Sequence, residues 1–98
     1  MMSNMGIRRE RIEIIYIILN GCKEGSKKTK LMYSSGLNYQ VFMRYISELE
    51  NLGLIKFENG SYFLTEKGEK TLELITEYMK TRNRLMEMRR YLSELLKS

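Results

Sequence analysis

The chain contains no aspartate, no histidine, no tryptophan and no proline, and a single cysteine among its 98 residues. Each absence removes a class of chemistry. Without His or Asp, the usual nucleophile–base pairs and metal-ligand sets cannot be assembled. A catalyst built from glutamate or lysine alone remains conceivable, but no spacing of those residues suggests one. The reading is therefore not an enzyme, with no catalytic residue, no metal and no cofactor expected. The lone Cys22 excludes an intramolecular disulfide framework and a thiolate zinc cluster, and reads as a small buried apolar side chain rather than a redox centre. No run approaches the ~20 apolar residues needed to cross a bilayer. The longest, Ile14 to Leu19, contains Tyr16 and reads as buried helix. Arg8, Arg9, Glu10 and Arg11 precede that run, but no small-residue cleavage site follows it, so no signal peptide and a cytoplasmic location are expected.

What is present is a soluble globular balance, with 43% apolar and 30% charged residues and no break in composition, so one domain-sized body is expected. All 12 acidic residues are glutamates against 17 Lys and Arg, and the resulting charge of +5 favours polyanionic partners without dictating a fold. The eight methionines are scattered, which suits core and dimer contacts better than a pliable groove.

After a leader over residues 1–6, apolar residues at Ile12, Ile15, Tyr16, Ile18, Leu19 and Cys22 recur at helical spacing, predicting a first helix from Ile7 to about Cys22 that stops at Gly25. Ser26 is placed to cap a short second helix, Lys27 to Ser35, with Leu31, Met32 and Ser35 facing inward. Gly36 ends it, Leu37 makes a hydrophobic turn, and Asn38 caps a third helix over Tyr39 to Leu52, closed by Gly53. A short helix, a glycine-containing turn and a longer capped helix form the helix-turn-helix pattern. The period then changes from about 3.6 to 2. Leu54 to Glu58 and Ser61 to Leu64 flank Asn59-Gly60, the strongest short hairpin signal, since a type I′ turn needs positive φ at both positions. A hairpin directly after a helix-turn-helix is a wing. Thr65 caps a last helix running from Glu66 to about Leu96, with Gly68 tolerable in its first turn, and this helix is too long for so small a body to cover.

Two constellations carry function. In the third helix, Val41, Tyr45, Leu49 and Leu52, with Ile46 beside them, form a stripe expected to pack inward. Tyr39, Gln40, Met43, Arg44 and Ser47 then fall on the exposed side, with Asn38 at the helix start. In a helix-turn-helix this end enters the major groove, where Gln and Arg read base edges and Asn, Tyr and Ser reach phosphates or bases. Lys27, Lys28 and Lys30 on the second helix, Arg8, Arg9 and Arg11 on the first, and Lys56 on the wing neutralise phosphate. The competing reading is an ordinary amphipathic helix with a solvated face, and the wing following at the right place weighs against it.

The second constellation is a seven-residue repeat on the last helix: Leu74, Tyr78, Thr81, Leu85, Met88, Leu92 and Leu95, interrupted only by Thr81. Leu72, Ile75 and Met79 form a separate set that docks on the body. Exposing the far leucines would cost about 1.5–3 kcal/mol for each large side chain, and pairing with a second copy is the simplest remedy. The alternative, folding back onto the same body, needs a turn that no Gly or Pro after Gly68 supplies. Charges flanking the repeat, Arg82 and Arg89 on one side and Glu77 and Arg84 on the other, leave the orientation of such a pair open.

These segments together resemble a known family. Ile14-Ile15 and Ile18-Leu19, then Cys22 through Tyr33, Leu37-Asn38-Tyr39, Tyr45-Ile46, Leu49, Leu54-Ile55, Tyr62-Phe63-Leu64-Thr65 and Lys67-Gly68-Glu69 are similar to the archaeal (crenarchaeal) "10a-type" winged-helix DNA-binding nucleoid proteins, over nearly the whole chain. The resemblance implies an antiparallel coiled-coil dimer with a recognition helix and wing at each end. It implies that Asn38, Tyr39, Gln40, Arg44, Lys56 and the Asn59-Gly60 turn face DNA, and that DNA is coated, bent or bridged with little sequence preference. This chain differs in its modest charge and in having one plain basic residue on the exposed face of the third helix.

The expected fold class is thus mainly α with a β-hairpin wing: a winged helix-turn-helix over residues 7–68 and a coiled-coil dimerisation helix over 69–97. The expected partners are double-stranded DNA and a second copy, with no membrane, in a nucleoid-associated protein. Two other readings compete with this chromatin-organising one: a sequence-specific transcriptional regulator, and a winged-helix protein-interaction module.

Overall fold

A computed structural model describes residues 10–97. Its elements run α1 (Arg11–Gly21), α2 (Lys28–Ser35), α3 (Tyr39–Asn51), β1 (Ile55–Glu58), β2 (Ser61–Leu64) and α4 (Glu66–Leu95). The expected order is therefore found, with the first helix starting at Arg11 within the described residues; Ile7, Arg8 and Arg9 lie outside them.

Several boundaries follow from local chemistry. Asn38 caps α3 by accepting a hydrogen bond from the Val41 amide at 2.9 Å, and Thr65 caps α4 by accepting one from Gly68 at 3.0 Å. α1 carries a reciprocal capping box in which Glu10 and Glu13 each accept from the other's backbone amide. At the wing tip, Asn59 and Gly60 have φ of 50° and 81°, the left-handed pair a type I′ turn requires, and they set β1 against β2 with Ile55 opposite Leu64 and Phe57 opposite Tyr62.

Ser26 departs from expectation. Lys27 stands at the N-cap position of α2 without a side-chain cap, and Ser26 instead pairs with Tyr62 as a short antiparallel bridge. The Ser26 amide donates to the Tyr62 carbonyl at 3.0 Å and the Tyr62 amide donates back at 2.8 Å. Residue 26 thus serves as a one-residue third strand that ties the start of α2 to the wing. Two backbone bonds to a distant strand outweigh one local cap.

The core gathers Ile14, Ile18, Leu19 and Cys22 of α1, Leu31 of α2, Phe42, Ile46 and Leu49 of α3, Leu54, Ile55 and Tyr62 of the wing, and Leu72 and Ile75 of α4. The inward face of α3 is therefore rotated from the expected stripe. Phe42 is fully buried, Val41 and Tyr45 are only half-buried, and Leu52 is 48% exposed. The bulk of the aromatic ring at Phe42 explains the rotation, since it buries more surface than Val41. Met43, expected on the exposed side, is half-buried and packs on the same core. Burial pushes the Cys22 thiol up to about 11, which leaves it a packing residue.

Gly68 has a stricter role than the sequence suggests. A Cβ there would strike the carbonyl oxygen of Leu54, so the start of α4 lies against the backbone entering the wing. The same junction is fastened by Thr65 Oγ1, which donates to Gly53 O at 2.5 Å, and Lys67 Nζ, which donates to Leu52 O at 2.9 Å, both on carbonyls at the end of α3.

Leu72, Ile75 and the half-buried Met79 hold the first half of α4 on the body. At Arg82 the guanidinium donates to Glu10 at 2.7 Å and to Glu13 at 3.1 Å, reaching the capping box of α1. Past this point every described residue of α4 is exposed, including Leu85 (54%), Met88 (53%), Leu92 (47%) and Leu95 (61%). The molecule is accordingly elongated, 60 × 27 × 19 Å.

Candidate nucleic-acid interface

Three elements converge at the N-terminal end of α3. The Asn38 cap fixes where the helix begins, and from there Tyr39, Gln40, Arg44 and Ser47 are exposed, as expected. α2 begins beside it, with Lys28 Nζ 5.8 Å above the Tyr39 ring. Lys27 at the N-cap of the same short helix and Lys30 within it are exposed. The bridge from Ser26 to Tyr62 brings the wing to the same place, where Tyr62 packs tilted against Phe57 at 4.8 Å between ring centres. Burial raises the Tyr62 hydroxyl above its ordinary value, with smaller contributions from the charges of Glu50 and Tyr39, both on α3.

The structure thus brings together Lys27, Lys28, Asn38, Tyr39 and the wing. On the wing, Lys56 is exposed, with its Nζ 3.9 Å from Glu58, and Asn59 and Gly60 are exposed at the tip. Arg11 has a different role from the one expected. Its guanidinium pairs with Glu48 and lies 5.7 Å over the Tyr45 ring, binding the start of α1 to the middle of α3. The Glu48 carboxyl is held below its usual range, chiefly by that hydrogen bond. Sequence reasoning also passed over Phe57, and the alternation of β1 was the signal available for it: the residue shares a strand face with the buried Ile55 yet is itself 52% exposed.

The positive end of the α3 dipole, its exposed Gln and Arg, and flanking lysines from α2 and β1 make a face suited to a polyanion with readable edges. Among the described residues, no three His, Cys, Asp or Glu side chains cluster in a way that could hold a metal ion. An open groove of about 950 Å³ runs between α1 and α4, past Tyr16, Asn20, Glu73 and Glu77. None of these groups forms a nucleophile–base pair. No helix among the described residues is long and apolar enough to cross a membrane.

Comparison with known proteins bears on the same architecture. A family model described as winged helix-turn-helix matches residues 8–83. Among curated relatives, an uncharacterised protein of Methanocaldococcus jannaschii is 42% identical over 72% of this chain, although the chain spans only 34% of that protein's length. A second protein of the same organism is 35% identical over 82% of this chain and 84% of its own length. A third, described as an HTH-type transcriptional regulator, is 32% identical over 74% of this chain and 71% of its own length. Among solved structures, Sso10a-2, a DNA-binding protein from Sulfolobus solfataricus, superposes with a TM-score of 0.80 at 35% identity, covering 92% of this chain and 99% of that one. The transcriptional repressor CouR, in a structure with p-coumaroyl-CoA bound, superposes with a TM-score of 0.62 at 22% identity over 95% of this chain and 65% of that one, a likeness of fold alone. Relatives thus occur in Methanocaldococcus as well as Sulfolobus, so the likeness is archaeal rather than specifically crenarchaeal.

Proposed function

Because this chain belongs to the winged helix-turn-helix family, we propose that it binds double-stranded DNA through α3 and the wing and does so as a homodimer joined along α4. The observation that carries the reading is the convergence of Lys27, Lys28, Tyr39 and the wing at the open end of α3, where Asn38, Gln40, Arg44 and Ser47 are also exposed. Met43 contributes its exposed edge, Lys30 supports from α2, and Lys56, Asn59 and Gly60 act from the wing. Residues 7–68 form the DNA-reading unit. Residues 69–97 form the dimerisation helix, whose first turns also close the body's core through Leu72 and Ile75.

In the dimer, Leu74, Tyr78, Leu85, Met88, Leu92 and Leu95 make the seam. Charge along α4, rather than at the seam alone, favours antiparallel pairing. From Glu66 to Met79 there are four glutamates and two lysines, whereas from Lys80 to Lys97 there are six Lys or Arg and two glutamates. Antiparallel helices set the acidic half of one against the basic half of the other, and parallel helices would set like against like. The two DNA-reading ends then point apart, an arrangement suited to bridging or organising DNA with little sequence preference in a cytoplasmic, nucleoid-associated protein. This reading is supported by the likeness to Sso10a-2.

The test is fluorescence anisotropy on several unrelated duplexes across salt concentrations. Similar affinities that fall steeply with salt are the expected outcome. Charge reversal at both Arg44 and Lys56 should weaken binding by at least an order of magnitude; unchanged affinity would sink the reading. A second reading, a transcriptional regulator with a defined operator, is favoured by the description of the third relative and by the single basic residue, Arg44, on the exposed face of α3. One duplex bound far more tightly than the others would select it. No binding to any duplex would leave a dimeric protein-interaction module.

A further inference from the structure

Phe57 is out of place for a residue with a purely structural role. The register puts Ile55 and Phe57 on the strand face shared with Tyr62 and Leu64. On that face Ile55 and Tyr62 are closed into the core, while Phe57, one step nearer the tip, leaves about half its surface open. Its ring packs against that of Tyr62, at 4.8 Å and tilted by 55°. The hairpin does not depend on this ring for its register, which the Asn59-Gly60 turn and the Ile55–Leu64 pairing already set. A large aromatic side chain is thus displayed near the end of a projecting hairpin. Lys56 precedes it, and the same strand face leads through Tyr62 toward Tyr39 and Lys28.

We propose that Phe57 is an apolar wedge, inserted by the wing against a base step of the duplex in the groove flanking the one α3 occupies, so that binding bends the DNA. The inference rests on the DNA-binding reading above and adds to it a residue and a mode of contact by which bending arises. With α3 in the major groove, a hairpin standing beside its N-terminal end falls on the adjoining backbone and minor groove. Apolar side chains placed there unstack a base step in part and kink the duplex by about 20–90°. Lys56 on the wing and Lys27 and Lys28 at the start of α2 supply attraction to phosphate, and the ring supplies the insertion. At the tip beyond it Gly60 carries no side chain, and the space around that glycine is open. A wedge has no base-edge hydrogen bonds to make, so its preference is for easily unstacked pyrimidine–purine steps rather than for a defined sequence.

The test uses the full chain and a duplex of about three helical turns carrying a donor and an acceptor dye at its ends, with affinity measured on the same samples. Wild-type protein should shorten the end-to-end distance. Phe57→Ala should bind about tenfold more weakly and leave the duplex nearly straight, and Phe57→Leu should keep most of the bend. In a separate measurement needing no variant, 2-aminopurine moved step by step through the bound site should brighten at the step beside each wing. Wild-type protein that binds without bending or local unstacking overturns the wedge and leaves the DNA reading standing. The wedge is equally overturned if Phe57→Ala bends DNA as well as wild type, or if its only effect is to abolish self-association without DNA. Failure of wild type to bind any duplex removes the DNA reading first and the wedge with it.

Discussion

Leu72 and Leu92 sit on the same unbroken helix and have opposite fates: Leu72 is buried in the core, while Leu92 keeps nearly half its surface exposed. The first half of α4 is a wall of the winged body, fastened by Leu72, Ile75, Met79 and the Arg82 contacts to α1. The second half repeats the same kind of apolar spacing with nothing among the described residues to cover it. Helix propensity and periodicity are alike in the two halves, so neither explains the difference. Burial depends on a surface being available opposite, and among the described residues only the first half has one.

Substitutions in the body put this contrast under the greatest stress. Phe42→Ala should remove about 3–5 kcal/mol from a total that rarely exceeds ~5–15 kcal/mol, measured by denaturant unfolding, and leave little folded body. Leu92→Ala on the far half should weaken the proposed dimer by about 1.5–3 kcal/mol for each copy while leaving the body's own unfolding almost unchanged. Sedimentation and denaturation on the same sample separate the two effects. If Leu92→Ala unfolded the body as Phe42→Ala does, the two halves of α4 would not be distinct. At the junction, Gly68→Ala tests the close approach to Leu54. In an open helix this change would stabilise by up to ~1 kcal/mol, but here it should destabilise by about 1–3 kcal/mol, so the sign alone decides.

Smaller effects locate the boundary between the halves. Arg82→Gln should lower thermal stability by about 1 kcal/mol or less, because Glu10 and Glu13 are partly solvated. Its informative readout is a broader distance distribution between spin labels on the wing and on the far half of α4. The smallest effect concerns the pair of Arg11 and Glu48, which joins α1 to α3. The folded Glu48 carboxyl lies below its unfolded value, so the unfolded state takes up this proton first as pH falls. The pair's stabilisation is therefore present above the unfolded carboxyl's usual value of about 4.3 and is lost as pH drops through the folded value. Carboxyl-carbon NMR titration should find Glu48 low in wild type and returned toward normal in Arg11→Gln.

Much of this architecture was legible because its signals are local. Asn59-Gly60 dictates its own turn, Asn38 and Thr65 cap the helices that follow them, and the change of period at Leu54 announces the wing. The exposed row Tyr39, Gln40, Arg44 and Ser47 was legible for the same reason. What escaped depended on partners distant in sequence. Ser26 looked like a cap until Tyr62 arrived to pair with it, and Arg11 looked like a free cation until α3 presented Glu48. Val41 and Phe42 are both apolar neighbours on α3, and only packing against the body selected Phe42 as the inward one.

The order of elements, their caps and turns, and the seven-residue stripe of α4 are written in the chain itself, since each needs only neighbours within a few positions. Packing across the fold set the rotation of α3, the single-residue strand at Ser26, the requirement for glycine at position 68 and the place where α4 leaves the body at Arg82. Those features depend on two surfaces meeting, and the free energy of that contact is a property of both surfaces, which a pattern along one segment does not contain.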